Sequence, residues 1–123
     1  MCDKRTLTFL EQFLKEVKRL RKKYRHVEKD VDEFAETLEQ GETPGDRLQG
    51  TDDYIVYKAR VASRDMQRGK SGGYRVIYYL QTESHIYLLS IYAKTEQVDI
   101  STAEILELIN EVLSALDEGE ADD

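Results

Sequence analysis

Little in this sequence supports sulfur, histidine or membrane chemistry. A single cysteine, Cys2, stands at the second position, which excludes an internal disulfide and a cysteine-cluster metal site. The two histidines are far apart: His26 follows a helical stretch, and His85 stands in a predicted hairpin turn. Both read as surface positions with no carboxylate partner in view, so no metal site and no cofactor are expected. No apolar run approaches the roughly 18 residues of a membrane-spanning helix. The start, MCDKRTLTF, has no apolar secretory segment, and the expected location is the cytoplasm. Proline occurs once, at Pro44, inside GETPGDRLQG, the clearest loop. A phosphate-binding Gly-x-x-x-x-Gly-Lys-Ser/Thr loop is missing too. RGKSGG lacks that spacing and leads into a strand instead of a helix.

What is present is charge, and it comes in blocks. The formal net charge is −7, yet residues 1–25 hold nine basic against three acidic side chains. Residues 26–50 hold two against eight, 51–94 seven against four, and 95–123 none against ten. Screening limits a charge's reach to about 8–10 Å at physiological salt, so a ligand experiences the local block, not the total. An acidic chain can therefore still present a basic face to an anion.

A chain of 123 residues suits one domain, here placed at 1–117, with 118–123, the last six residues of DEGEADD, as an acidic, disordered tail. Leu10, Phe13, Leu14, Val17 and Leu20 recur at helical spacing, opposite a basic face written KRLRKKYR. A short strand at 5–9 precedes them. Val27, Val31, Phe34 and Leu38 form a second stripe that stops at Gly41, and its acidic run from Asp30 to Glu39 reads as an exposed face. Three β-rich segments follow: 54–63, 74–81 and 86–94. Short links between them predict antiparallel pairing. Ser101 and Glu104 form a Ser-x-x-Glu capping box for a last helix with Ile105, Leu106, Ile109, Val112 and Leu113 on its apolar stripe. The predicted class is α+β: a small twisted antiparallel sheet, two N-terminal helices on one face, and a C-terminal helix.

Period-two alternation assigns faces within the sheet. It groups Tyr87, Leu89 and Ile91 together and turns Lys58, Arg60, Arg75, Tyr92 and Lys94 to the other, open side. Such a set repels itself unless an anion sits among it, which points to a phosphate-rich ligand. Solvated basic residues and cross-strand tyrosines are the plainer reading of each position taken singly, and a single bulge would shift the parity.

The runs YKARV, RGKSGGYRVIYYL and LLSIYAKTEQVDIS, in that order and spacing, resemble the RelE/HigB-type toxins of bacterial toxin–antitoxin pairs. The resemblance implies a RelE-like α+β fold and a metal-independent, ribosome-dependent mRNA endoribonuclease. In that chemistry a ribose 2′-OH attacks the adjacent phosphate, leaving a 2′,3′-cyclic phosphate and a 5′-OH. It implies Arg75 on the scissile phosphate, Arg60 supporting the charged intermediate, and Lys70 and Lys94 orienting the phosphate or protonating the leaving oxygen. Tyr92, or secondarily Tyr79, would stack on a base or assist proton transfer; the general base stays unassigned. Lys58 and Arg68 would contact neighbouring phosphates. Lys18, Arg21, Lys22 and Lys23 on the basic helix would meet ribosomal RNA. The implied partners are a HigA-like helix-turn-helix antitoxin, the ribosome and mRNA, with the toxin monomeric or antitoxin-linked. A gyrase-poisoning ParE-like toxin and an attenuated antitoxin-binding relative are the alternatives.

Overall fold

The computed structural model of the protein describes residues 4–66, 73–97 and 99–121, with side chains described up to 116. Its elements run β1 (Thr6–Phe9), α1 (Glu11–Arg21), α2 (Val27–Glu39), β2 (Asp46–Arg47), β3 (Val56–Val61), β4 (Tyr74–Thr82), β5 (His85–Ala93) and α3 (Thr102–Ala121). The backbone of α3 continues to Ala121, while 122 and 123, the end of the expected tail, lie outside the described residues. The strands form one sheet in the order β1-β5-β4-β3-β2. β2 to β5 pair antiparallel, as their short links require, but β1 pairs parallel with β5. The sheet is therefore mixed. The chain leaves β1 through two helices before it returns, so β1 comes to lie beside the last strand in the same direction.

Both helical stripes bury as the periodicity predicts. Phe13, Val17 and Leu20 of α1 join Val27, Val31, Phe34 and Leu38 of α2 against Ala59, Val61, Tyr74, Val76, Tyr78 and Ile91. Each such burial contributes about 1.5–3 kcal/mol against unfolding. Leu14 departs from its assignment: it is 53% exposed, because it lies at the margin of the stripe. Asp30 departs in the other direction. It is buried, and its carboxylate receives the Arg64 guanidinium and the Arg64 backbone N–H.

The second face of the sheet is not open along its whole length. Ile105, Ile109 and Val112 of α3 pack on Val56, Ile77, Tyr79, Tyr87 and Leu89. Ser101 caps this helix as expected, its hydroxyl meeting Glu104 Oε1 at 3.2 Å and the Glu104 N–H at 3.1 Å. The alternation predicted for β5 breaks at Leu89. Ile77 pairs with Ser90 but Tyr78 with Leu88, so Leu89 is an extra residue. That bulge puts Leu89 under α3 and Ile91 against α1 and α2, on opposite faces instead of one.

Where β1 ends, the edge of β5 is closed by a side chain. Glu16 Oε1 accepts from Ser90 Oγ at 2.9 Å and from the Ile91 N–H at 3.1 Å. Burial raises the Glu16 pKa, against the lowering effect of those hydrogen bonds. A carboxyl whose folded pKa lies above its unfolded value stabilises the fold while protonated, and that contribution is lost as pH rises through the two values. Glu16→Gln keeps an acceptor without the charge. Urea titrations should show a smaller fall in stability between pH 4.5 and 7 for this variant than for the wild type.

Gly45 is required by a close approach. Its φ is +99°, and a Cβ there would lie 2.4 Å from the Lys58 carbonyl oxygen. Gly45→Ala should lower unfolding stability by about 2 kcal/mol or more, from the left-handed backbone and the backbone clash together, as read by urea denaturation.

Candidate active site

The central strands bring the predicted cations into one row. Arg60 of β3 stands directly across from Arg75 of β4, and Arg75 across from Tyr92 of β5. Lys58 lies two residues before Arg60, on the same face, opposite Ile77. Ile77 already sits under α3, so the Arg60–Arg75–Tyr92 row falls one step beyond the apolar patch that this helix covers. Lys94 follows β5, with its backbone N–H donating to the Gly73 carbonyl at 3.1 Å. Lys58, Arg60, Arg75, Tyr92 and Lys94 thus lie together at the free end of the β3–β4–β5 ladder. Arg68 and Lys70 lie outside the described residues.

The members differ in exposure. Arg60 is exposed, Lys58 and Lys94 are half-buried, and Arg75 is 7% exposed with Nη1 on the Tyr74 carbonyl at 3.2 Å. Tyr92 is 1% exposed, which leaves its ring no open face for a base to stack on. Its contribution is its hydroxyl, which donates to Asp99 Oδ1 at 3.2 Å. Burial, then the charge and hydrogen bond of Asp99, push the Tyr92 phenol up to about 12. The secondary choice, Tyr79, belongs to the α3 core, stacked on Tyr87 and edge-on to Tyr54.

Asp99 is the residue that sequence reasoning missed. Its Oδ1 also accepts from Lys58 Nζ at 3.2 Å and from the Ile100 N–H at 2.8 Å. Led by that backbone bond, these contacts hold its carboxyl below the usual range. The anion expected among the cations is thus supplied in part by the protein. No local signal marks Asp99, since 41 residues separate it from Lys58.

The basic helix approaches the same region through its neighbour in sequence, Glu96. Arg19 Nη1 lies 3.3 Å and Lys23 Nζ 3.7 Å from the Glu96 carboxylate, in the connection between β5 and α3. Lys18, Arg21 and Lys22 are exposed, and Arg21 meets Glu28 at 3.4 Å. The histidines do not join the site. His85 opens β5, half-buried, bonded to Thr8 at 2.7 Å and stacked on Tyr87, so it is not the surface turn residue expected. His26 is exposed but does have a carboxylate partner, Asp65, at 2.8 Å. Among the described residues no cluster of three or more His, Cys, Asp or Glu is placed to hold a metal ion, and no helix is long and apolar enough to cross a membrane.

The sequence and the fold both match a known family. The RelE toxin of the RelE/RelB toxin–antitoxin system matches residues 12–120. The chain belongs to the RelE toxin family. An arginine-to-alanine double mutant of the E. coli toxin RelE, solved in the free state, has a similar fold. Its TM-score is 0.50 at 20% identity, over 91% of this chain and 97% of that one. As a RelE-family toxin the protein is the toxin of a toxin–antitoxin pair, an mRNA interferase and so a ribonuclease, and the gyrase-poisoning alternative is not favoured.

The strand end that leads toward Arg68 and Lys70 is tied to α2. Arg64 joins Asp30 and Glu33, while Asp65 takes the His26 ring and backbone N–H. Removing the buried partner leaves the Arg64 backbone amide without its acceptor and the guanidinium with Glu33 alone. Asp30→Ala should lower stability by about 2–3 kcal/mol, measured by urea denaturation, with Glu33→Ala costing clearly less because Glu33 is exposed.

Proposed function

We propose that the protein cleaves mRNA in the ribosomal A site without a metal ion, with residues 1–117 acting as a single toxin domain. The row Arg60–Arg75–Tyr92, with Lys58 and Lys94 beside it, carries this reading. In the reaction the 2′-oxygen bonds to phosphorus as the bond to the 5′-oxygen breaks. The 2′ proton passes to a base, and the 5′-oxygen takes a proton as it leaves. The products are a 2′,3′-cyclic phosphate and a 5′-OH.

Arg75 suits the scissile phosphate. Its guanidinium is nearly buried, and a cation fixed in a dry setting stabilises developing negative charge without reorganising. Arg60, across the ladder and exposed, adds a second charge to the pentavalent intermediate. Lys94 and Lys70 are the candidates to orient the phosphate and protonate the 5′-oxygen. Tyr92 enters through its hydroxyl. Lys58 and Arg68 hold flanking phosphates, and Lys18, Arg21, Lys22 and Lys23 meet ribosomal RNA phosphates, a contact without sequence information. A HigA-like helix-turn-helix antitoxin is the proposed neutralising partner, and the cytoplasm the proposed location.

The test is cleavage on programmed ribosomes, with transcript 5′ ends mapped after brief induction in cells. Cuts should fall within translated frames and leave a 2′,3′-cyclic phosphate on one side and a 5′-OH on the other. Arg75→Ala should cut roughly 100- to 1,000-fold more slowly, the cost of losing one charge-stabilising donor. Equal cutting by the variant, or products with a 5′-phosphate and a 3′-OH, removes this reading.

A further inference from the structure

We propose that Asp99 is a positioning residue of the RNA-cleaving site, fixing the Lys58 ammonium and the Tyr92 hydroxyl on one carboxylate oxygen beside Arg75. The proposal rests on the site assignment just given and extends it to a residue outside the strands.

The geometry is specific. One oxygen, Asp99 Oδ1, takes three donors: the Ile100 N–H at 2.8 Å, Lys58 Nζ at 3.2 Å and the Tyr92 hydroxyl at 3.2 Å. The backbone that presents it is itself held. Gln97 Nε2 donates to the Asp99 carbonyl at 2.8 Å, and the Ser101 capping box begins two residues later. The carboxylate therefore stands on the rigid entrance of α3, which is packed onto the same sheet face. The stability of the ion pair does not account for the arrangement. The Asp99 side chain is 56% exposed, and an ion pair in that setting contributes little to folding.

What the bonds do is orient without consuming function. An ammonium has three N–H donors, so Lys58 keeps two for phosphate oxygens while one is spent on Asp99. The Tyr92 hydroxyl gives its only proton to Asp99, which fixes its direction and leaves the oxygen's acceptor capacity unspent on Asp99. Both groups are thereby placed before substrate arrives, and pre-placed groups are what a positional catalyst needs. The charge of Asp99 also offsets Lys58, Arg60 and Arg75, which otherwise repel one another on a shared face. The competing account makes Asp99 an occupant of the phosphate's place, which RNA must displace.

Asp99→Asn, which keeps the shape and an acceptor, and Asp99→Ala separate the two accounts. Single-turnover cleavage on programmed ribosomes gives rate and half-saturation separately. Carbon-13 NMR of tyrosine Cζ in the free toxin follows the Tyr92 titration without reference to activity. For Asp99→Asn the rate should fall roughly 10- to 100-fold, with half-saturation changed less than about twofold. Tyr92 should also titrate at lower pH than in the wild type. Asp99→Ala should lose at least as much rate, with an unchanged circular dichroism spectrum. An unchanged rate, or tighter ribosome binding with the rate kept, overturns the proposal, as does a Tyr92 titration identical in wild type and Asp99→Asn. Failure of the wild type to cut message on ribosomes would sink the functional reading alone. The Tyr92 titration would still decide whether Asp99 holds this pair.

Discussion

Two arginines placed directly across an antiparallel ladder, Arg60 and Arg75, are the constraint around which this molecule is arranged. Like charges in that relation destabilise a sheet by up to about 1 kcal/mol, and Lys58 on the same face adds to the repulsion. The ladder must then be held by packing elsewhere. It is clamped from both sides, by α1 and α2 on one face and α3 on the other. α3 covers the ladder as far as Ile77; one step beyond it Arg60 is exposed, while Arg75 and Tyr92 stay buried. A sheet with one solvated face would show plain alternation; here Tyr74 to Tyr79 are all buried, which is the mark of cover on both sides.

The connection between β5 and α3 joins two basic surfaces. Glu96 faces Arg19 and Lys23 of the first helical region, and Asp99 faces Lys58 and Tyr92 on the sheet. Exposed pairs of this kind contribute little to folding free energy. Their effect is geometric: a short acidic segment keeps two sets of cations in a set relation, one on the sheet face proposed to cleave RNA and one on the helix proposed to meet ribosomal RNA. The acidic block that begins at residue 95 is therefore not only a solvated tail, since its first two carboxylates belong to the cationic region.

The readable parts of this fold are those set by local period and local chemistry. Both N-terminal stripes, the Ser101 capping box, the three long strands and the shared face of Lys58, Arg60 and Arg75 follow from spacing of two or of three to four residues. What was not legible depends on distant partners. The parallel β1–β5 pairing is decided by which strand is left with a free edge. The extra residue Leu89 has no sequence mark, because leucine fits either face and only its register against Ile77 and Tyr78 sets it apart. Asp30 reads as one acid in an exposed run, yet Arg64, 34 residues later, draws it inside. Asp99 escaped for the same reason. Its partners meet it only after the sheet and α3 have formed.

The net charge of −7 is consistent with a site for a polyanion once distance is considered. At the proposed site an RNA phosphate on Arg75 would lie within a hydrogen bond's reach of cations, where attraction is strong, while carboxylates beyond about 8–10 Å are screened. Asp99, bonded to Lys58 and Tyr92, is an acid of this face. Asp99 weakens the raw attraction of the face, so if affinity alone had shaped the site a neutral residue would serve better. A carboxylate there makes sense when the demand is on the transition state. Ground-state binding then gives up a little attraction, and the groups that meet the developing charge are already aimed, since only interactions stronger in the transition state than in the bound substrate raise the rate of the chemical step.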